Sequence, residues 1–318
     1  MNLNAQQCGA GPNRAVIDIG TNSARLLVYT VEGGGRIRRI GKWVRYTRMG
    51  QDLGKTGRLH PDAIRRNLDA LAEFRTIAGE YAAADFYVFG TSALRDAANS
   101  GEFVALAREK TGLDVQVVPG TLEAEYGFLG VSQSFDEPVL IFDIGGGSTE
   151  LIRGQGDRME KMVSLNTGCV RGTEAHIRHD PPQAGELEAI KADTRSLLAP
   201  VAADYIHGGD FRLVGIGGTA TTLSTIHQHL AQYDSDKVNK SVVTRAGLEQ
   251  MTRELSRITL EERRKTVGLE AKRADIIVAG ACILEVVLEQ TGCNAFTVCD
   301  YDNLEGAAYK KFRKTVDR

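Results

Sequence analysis

The stretch VIDIGTNSARLLVYT, residues 16–30, decides the fold, because a close copy of it, IFDIGGGSTELI, follows at residues 141–152. Each copy reads as an apolar strand, an acid, a turn that contains glycine with Ser or Thr, and a second strand. The acids are Asp18 and Asp143. One copy alone would indicate little, because a strand followed by Asp and Gly is a common way for a chain to leave a sheet. Two copies predict two similar halves with one site between them.

A third glycine loop, GIGGTATTL at residues 215–223, follows the apolar run FRLV and opens a predicted helix. Glycine allows a tight turn beside a large anion, through positive φ and the missing Cβ. Backbone N–H groups and Ser or Thr hydroxyls then donate to phosphate oxygens. Loops of this kind predict a phosphate site. Its candidate ligands are Gly20, Thr21, Asn22, Ser23, Gly145, Gly146, Gly147, Ser148, Gly217, Gly218 and Thr219.

The acids in these loops predict a bound cation. A carboxylate at the end of a strand would repel phosphate unless a divalent cation lay between them. Mg²⁺ is held in this way, by one or two carboxylates together with substrate phosphates. The expected cofactor is therefore Mg²⁺, with Mn²⁺ as the alternative.

The composition is typical of a two-domain α/β protein. The chain has 318 residues, and its 35 glycines fit many tight turns between strands and helices. A net charge of -2 gives no overall attraction for nucleic acid, and no membrane partner is expected. The five cysteines form no CxxC pair, which predicts free thiols in a reducing cytoplasm. The N-terminus lacks the pattern of a secretory signal.

Two segments have two interpretations each. Between Arg14 and Arg66, twelve Lys and Arg stand against four acids. The run from Arg36 to Arg48 is either a solvated strand face or a basic track that steers a long anion. The apolar stretch 274–290 is either a core helix or a dimer face, so a homodimer is one expected assembly.

Hydrophobic periodicity and turn residues predict the element order. Predicted strands cover 14–19, 24–30, a segment ending at Arg48, 86–90, VQVV, 138–143 and AFTVC, with a glycine turn at 33–35. Predicted helices cover a segment from Pro61, then 101–111, 121–131, 169–178, 183–202, 218–230, 246–257, 261–267, 270–290 and 303–315.

Seven segments, in this order, resemble the exopolyphosphatase and guanosine pentaphosphate phosphohydrolase (Ppx/GppA) family. They are DIGTNSARL, GTSALRDAAN, GTLEAEYGFLGV, FDIGGGSTEL, LNTGCVRGTE, GIGGTATTL and RADIIVAGACIL. The resemblance covers about residues 14 to 310 and is to the short, two-domain form. It implies the α/β fold of the actin-like ATPase superfamily, with two ribonuclease-H-like domains and an interdomain cleft. The expected domains are 14–130 and 131–302, with the final helix, 303–318, packing back on the first.

The resemblance also implies roles for individual residues. Glu123 resembles the catalytic base, and Asp143 and Glu150 resemble catalytic acids that bind the metal. Asp18 stands in the matching place in the first loop. Three arginines resemble those that face the phosphate chain. They are Arg25, Arg95 and Arg273.

Glu123 falls in the first turn of its predicted helix, near an expected cation. Its pKa should therefore fall, which favours positioning of water over proton abstraction. Two departures from the family pattern concern substrate length and nucleotide recognition. Leu304 stands where an arginine is usual, and Asn239 and Lys240 stand where His-Gly is usual.

Three functions are expected candidates. The first is release of terminal phosphate from inorganic polyphosphate, or conversion of guanosine pentaphosphate to the tetraphosphate. The second is a small-molecule kinase of the same superfamily, which would need an acceptor. The third is a regulator that binds polyphosphate or an alarmone without turnover. Phosphate release without an acceptor separates the first function from the other two.

Overall fold

The structure is a computed structural model that describes residues 11–32, 36–206 and 210–316. Its first half is built on one sheet with the strand order β3-β2-β1-β4-β5. Strands β1 to β3 are antiparallel, and β4 and β5 extend the sheet in parallel from β1. The strands are β1 (Arg14–Ile19), β2 (Ala24–Val31), β3 (Ile37–Arg45), β4 (Asp85–Gly90) and β5 (Val115–Val117). The predicted turn at 33–35 lies outside the described residues.

The second half repeats this plan and adds one strand, in the order β10-β11-β9-β6-β7-β8. Again three antiparallel strands come first, and β9 and β11 follow in parallel. The strands are β6 (Val139–Ile144), β7 (Thr149–Gln155), β8 (Arg158–Leu165), β9 (Arg212–Ile216), β10 (Val242–Thr244) and β11 (Ala295–Val298). The predicted α/β class with two ribonuclease-H-like sheets is confirmed. The domain boundary after residue 130 stays a prediction.

Helices cover both faces of each sheet. In the first half they are α1 (Leu53–Thr56), α2 (Pro61–Glu80), α3 (Ser92–Asp96), α4 (Ser100–Thr111) and α5 (Gly120–Val131). In the second half they are α6 (Cys169–His176), α7 (Ala184–Ile206), α8 (Gly217–His227), α9 (Ser235–Val238), α10 (Arg245–Arg257), α11 (Leu260–Arg263), α12 (Ile277–Thr291) and α13 (Asn303–Val316). Of the described helices, none is both long and apolar enough to cross a membrane.

Two predicted helices need correction, and two strands were missed. The helix predicted over 261–267 is only one turn long, α11. The helix predicted over 270–290 is instead a 3₁₀ turn, Ala271–Arg273, followed by α12. The buried side chain of Arg263 donates to the Ala274 carbonyl at 2.8 Å, which satisfies a backbone group at this break. Strands β8 and β10 were not predicted, because their polar residues hide the alternation and pairing with a neighbouring strand defines them.

Helix α5 joins the two halves. Its Tyr126 packs with strands of the first sheet, whereas Ala124 and Phe128 pack with strands of the second. Helix α13 returns to the first half and packs against α5, β1 and β2. The backbones of α13 and α5 touch directly, since a Cβ on Gly306 would lie 1.7 Å from the Tyr126 carbonyl oxygen. The two halves are therefore tied together at α5.

The apolar stretch near the C-terminus is a core helix. In α12, every residue from Ile277 to Leu284 is buried. The helix packs against α7 and α10 in the core of the second half. Because no apolar side of this segment faces solvent, α12 does not provide a dimer face. The homodimer stays a prediction without this support.

Candidate active site

A cleft of about 970 Å³ lies between the halves, and all three glycine loops line it. The residue types at its surface suit phosphate, with backbone turns and hydroxyls beside cationic and acidic groups. The sequence-predicted residues that line it are Asp18, Gly20, Thr21, Asn22, Ser23, Arg25, Glu123, Asp143, Gly145, Gly146, Gly147, Ser148, Gly217, Gly218 and Arg273. The predicted residues Arg95, Glu150 and Thr219 lie behind this surface.

The glycines of the first two loops are needed for space rather than for φ. Among Gly20, Gly145, Gly146 and Gly147, none has positive φ, so that expectation was wrong. A Cβ on Gly146 would lie 2.8 Å from the Thr21 Cβ, and one on Gly147 would lie 2.6 Å from Ser92 Oγ. These glycines let the loops of the two halves approach each other.

The third loop does use positive φ. Gly217 has φ of 75°, and a Cβ there would lie 2.3 Å from Asp143 Oδ1. The turn into α8 therefore lies directly against the acid of the second loop. Thr219 was predicted to bind phosphate, but its hydroxyl donates to the Ile144 carbonyl oxygen at 2.7 Å and not toward the cleft. It fixes the third loop to the second.

In the first loop, the acid is already paired. Asp18 on β1 lies opposite Arg25 on β2, and the guanidinium donates to Asp18 Oδ2. The same guanidinium donates to Asp302 Oδ2 at 2.5 Å, so it bridges two carboxylates. Burial raises the pKa of Asp18, although Arg25 opposes this. Asp18 Oδ1 is buried without a hydrogen-bond partner among the described residues.

In the second loop, two acids face each other. Asp143 on β6 lies opposite Glu150 on β7, and the Ser164 hydroxyl donates to Glu150 Oε1 at 2.7 Å. Loss of water at the cleft floor, together with the charge of Glu123, raises the pKa of Asp143 to about 7. Burial, together with the carboxylates of Glu123 and Asp143, holds the pKa of Glu150 well above its usual range. These three acids repel one another.

Glu123 projects from the first turn of α5 and is 8% exposed. Arg95 Nη1 donates to its Oε2 at 2.5 Å and to the Val118 carbonyl oxygen at 3.2 Å. The pKa of Glu123 is raised, because burial outweighs the lowering effect of Arg95. The fall expected from the position in the first turn is therefore not seen without a cation, and the effect of a bound cation on this pKa stays a prediction. Arg95 binds Glu123 instead of lying open to the cleft.

The carboxylates suit a cation that is shared with substrate. Among the described residues, no group of three His, Cys, Asp or Glu side chains is arranged to hold a metal ion alone. The unpartnered Asp18 Oδ1 and the mutual repulsion of Asp143, Glu123 and Glu150 nevertheless favour added positive charge. Mg²⁺ commonly takes only one or two carboxylates and completes its shell with water and phosphate. The donor set fits that mode.

Most cations of the run from Arg36 to Arg48 are paired with acids. Arg36 and Arg38 bind Glu32 on the surface. Arg39 and Lys42 line the cleft but bind acids at the start of α13. In the described residues the run is therefore a set of ion pairs with two members inside the cleft, and not a continuous open track of cations.

The two departures from the family pattern occupy structural positions. Leu304 is fully buried and packs with Val16, Leu27 and Tyr126. Asn239 Oδ1 accepts a hydrogen bond from the Asp300 backbone N–H at 3.1 Å. Both residues thus support the segment that enters α13, which lies beside the cleft.

Sequence reasoning missed several residues that line or close the cleft. Tyr46 lies across from the second half, with Arg273 Cζ 5.7 Å and Lys272 Nζ 5.8 Å from its ring centroid. Arg171 donates to the Gly147 carbonyl oxygen and to Asp96 Oδ2, both at 2.9 Å. The sequence could have pointed to Arg171, which lies within the motif LNTGCVRGTE, and to Lys272, which is next to Arg273. Tyr46 had none.

Comparisons with known proteins show the family of this chain. The model of the Ppx/GppA phosphatase family matches residues 27–315. Exopolyphosphatase 2 of Mycobacterium tuberculosis is 32% identical over 309 residues, covering 92% of this chain and 97% of that protein. A guanosine-5'-triphosphate,3'-diphosphate pyrophosphatase of Vibrio cholerae is 30% identical, covering 96% of this chain and 60% of that protein.

A solved structure agrees in fold as well. The crystal structure of the Aquifex aeolicus member of the Ppx/GppA family is 30% identical, with a TM-score of 0.80. The match covers 96% of this chain and 98% of that one. The same overall fold therefore accompanies this sequence similarity. The chain belongs to the Ppx/GppA phosphatase family.

Proposed function

We propose that this chain is a phosphoanhydride hydrolase that releases terminal phosphate from inorganic polyphosphate, converts guanosine pentaphosphate to the tetraphosphate, or does both. The observation that carries the proposal is that three glycine loops and Glu123 line one cleft. Relatives named as an exopolyphosphatase and as a guanosine-5'-triphosphate,3'-diphosphate pyrophosphatase support both substrates. Free thiols at Cys169, Cys282, Cys293 and Cys299 support a cytoplasmic location.

The chemistry needs a positioned water and groups that take up charge on the transferred phosphoryl group. The turns at 20–23 and 145–148 donate backbone N–H groups and hydroxyls to that group. Arg273 binds the following phosphates. Asp143 and Asp18 would hold Mg²⁺ or Mn²⁺ together with phosphate oxygens, and the ion would supply positive charge that offsets the repulsion among the acids. Glu150 supports Asp143 from behind.

Glu123 acts on the water. Arg95 holds Oε2 of Glu123, and this fixes the direction of the carboxylate. The other oxygen, Oε1, accepts a proton from the water as it attacks the terminal phosphorus. The bond from that phosphorus to the bridging oxygen breaks, and the shortened polyphosphate or guanosine tetraphosphate leaves with this oxygen. The raised pKa makes Glu123 a better base than an exposed glutamate. Proton abstraction and positioning are then both tasks of this residue.

Phosphate release should be measured in parallel from long polyphosphate, tripolyphosphate and guanosine pentaphosphate, each with Mg²⁺. Glu123→Gln should lower kcat by about 10²- to 10⁴-fold, as for other general bases. The matched control is Glu125→Gln on the same helix, whose carboxylate pairs with Lys310 on α13. It should keep its activity.

Three outcomes would contradict the proposal. Retention of more than about a tenth of the rate in Glu123→Gln would remove its role as base. Tight binding without release would indicate the regulator. Phosphate transfer that occurs only with an added acceptor would indicate the kinase.

A further inference from the structure

One end of the cleft, beside β3 and the start of α13, holds cations that are already neutralised. Arg25, Arg39 and Lys42 all line the cleft and would be obvious ligands for a polyanion. Each of them is bound by at least one acid. We call this set the β3–α13 network, and it consists of Arg25, Arg39, Lys42, Asp18, Asp300, Asp302 and Glu305.

Like Glu305, which contacts Arg39 and Lys42, Asp302 contacts two of these cations with one oxygen. Its Oδ2 lies 2.5 Å from Arg25 Nη1 and 3.1 Å from Lys42 Nζ. Its Oδ1 accepts from the Leu304 backbone N–H at 3.0 Å, which fixes the carboxylate. Burial would raise the pKa of Asp302, but Arg25 and Lys42 hold it well below its usual range. Asp302 therefore stays ionised and pairs with two cations that line the cleft, Arg25 and Lys42.

The two ends of the cleft differ in charge. The β3–α13 network contains three cations and four carboxylates, so its formal charge is negative. At the other end, Lys272 and Arg273 line the cleft beside Tyr46. Neither forms an ion pair with an acid among the described residues. A polyanion is attracted to this second end and repelled at the first.

We propose that Asp302 is an internal counter-ion that competes with substrate phosphate for Arg25 and Lys42, and so sets the affinity of the cleft for polyphosphate-like anions. The inference rests on the proposed function, because it concerns the same substrate class. It makes Asp302 a specificity-determining residue that acts against binding. Its removal should therefore strengthen binding, which damage to the fold does not do.

The test is the binding of inorganic tripolyphosphate with Mg²⁺, measured by calorimetry on a Glu123→Gln background to prevent turnover. Adding Asp302→Asn keeps the size of the side chain and an acceptor for the Leu304 N–H. The Kd should fall by about tenfold, the low end of what a hydrogen bond to a charged group contributes. The control Asp236→Asn removes one charge from exposed α9 and should leave the Kd unchanged. An unchanged or higher Kd in Asp302→Asn, or no binding in either protein, would overturn the inference.

A second variant keeps the test decisive if Asp302→Asn does not fold. In the presence of Asp302, Lys42→Gln should weaken tripolyphosphate binding by less than about threefold, because Lys42 is already occupied. A loss of tenfold or more would show that Lys42 binds substrate despite Asp302, and would overturn the inference. When Lys42→Gln is combined with Asp302→Asn, it should cancel much of the gain in tripolyphosphate affinity that Asp302→Asn gives.

Failure of this inference and failure of the proposed function have different signatures. If wild type releases phosphate but Asp302→Asn binds tripolyphosphate no better, only the inference fails. If no substrate is hydrolysed but Asp302→Asn binds tripolyphosphate more tightly, only the proposed hydrolysis fails.

Discussion

The two strand–turn–strand copies have the same backbone and opposite electrostatics. In each copy the acid is the fifth residue of its strand, and it faces one residue of the next strand. In the first copy that residue is Arg25, and Asp18 is neutralised. In the second copy it is Glu150, and Asp143 faces another acid. Cross-strand neighbours share a face of the sheet, so a single residue decides the charge of each loop.

The difference teaches which half depends on an added cation. The first copy has its positive charge built in, and Arg25 shares it with Asp302. The second copy contains repelling acids whose raised pKa values reflect that repulsion and their burial. We therefore expect the second copy to be the main metal site and the first copy to be mainly structural.

The largest expected effect compares Asp143→Asn with Asp18→Asn. Asp143→Asn should lower kcat by about 10³-fold, because the carboxylate that would hold the cation at the phosphoryl group is lost. Asp18→Asn should lower it by only about tenfold, since Arg25 already neutralises that acid. Steady-state phosphate release at saturating Mg²⁺ measures both. Equal losses would show that the copies share the metal equally.

The second prediction concerns pH in metal-free protein. The folded pKa of Asp143 is about 7 and the unfolded value is near 4, so its favourable contribution is complete below pH 4 and lost as pH rises through 7. Relative to Asp143→Asn, wild type should lose up to about 4 kcal/mol of unfolding free energy over this range. Denaturant unfolding in EDTA measures the difference, and Mg²⁺ should abolish it. A difference that does not vary with pH would argue against charge repulsion in the second copy.

The third prediction removes the cation of the first copy. Arg25→Gln should lower the free energy of unfolding by about 3 kcal/mol, because Asp18 is left buried without its cation and Asp302 keeps only Lys42. Arg25→Lys should recover part of the loss. The control Arg212→Gln breaks an exposed pair with Glu137 and should cost less than about 1 kcal/mol. If both glutamine variants lose the same amount, the first copy is not stabilised by its built-in charge.

The smallest effect is expected from a substitution that pushes the loops of the two copies apart. In Gly146→Ala the new Cβ would lie 2.8 Å from the stiff Cβ of Thr21, so the two loops must move apart. The KM for tripolyphosphate should rise by about tenfold, with a smaller change in kcat. Gly54→Ala serves as the control, because its Cβ meets nothing within 4 Å. A normal KM in Gly146→Ala would mean that contact between the loops is not needed for binding.

Much of the fold followed from local patterns. The repeated strand, acid and turn predicted both hairpins, and helices with one buried face, such as α2 and α10, followed from periodic apolar residues. Prediction failed where distant groups decide the outcome. The break before α12 depends on Arg263, and β8 depends on pairing with β7. Neither cause is visible within the segment itself.

The same division holds for the site. The sequence by itself determined the α/β class and predicted three phosphate loops with the acids Asp18 and Asp143, because strand-end turns and residue chemistry are local properties. Glu123 was predicted only through the family resemblance. Only the tertiary structure decided three contacts. Arg95 donates to Glu123, the Thr219 hydroxyl donates to the second loop, and Asp302 forms ion pairs with Arg25 and Lys42. Charge pairing and burial depend on segments as far apart as residues 25 and 302. That is why the pKa of Glu123 rises where its helix position alone predicted a fall.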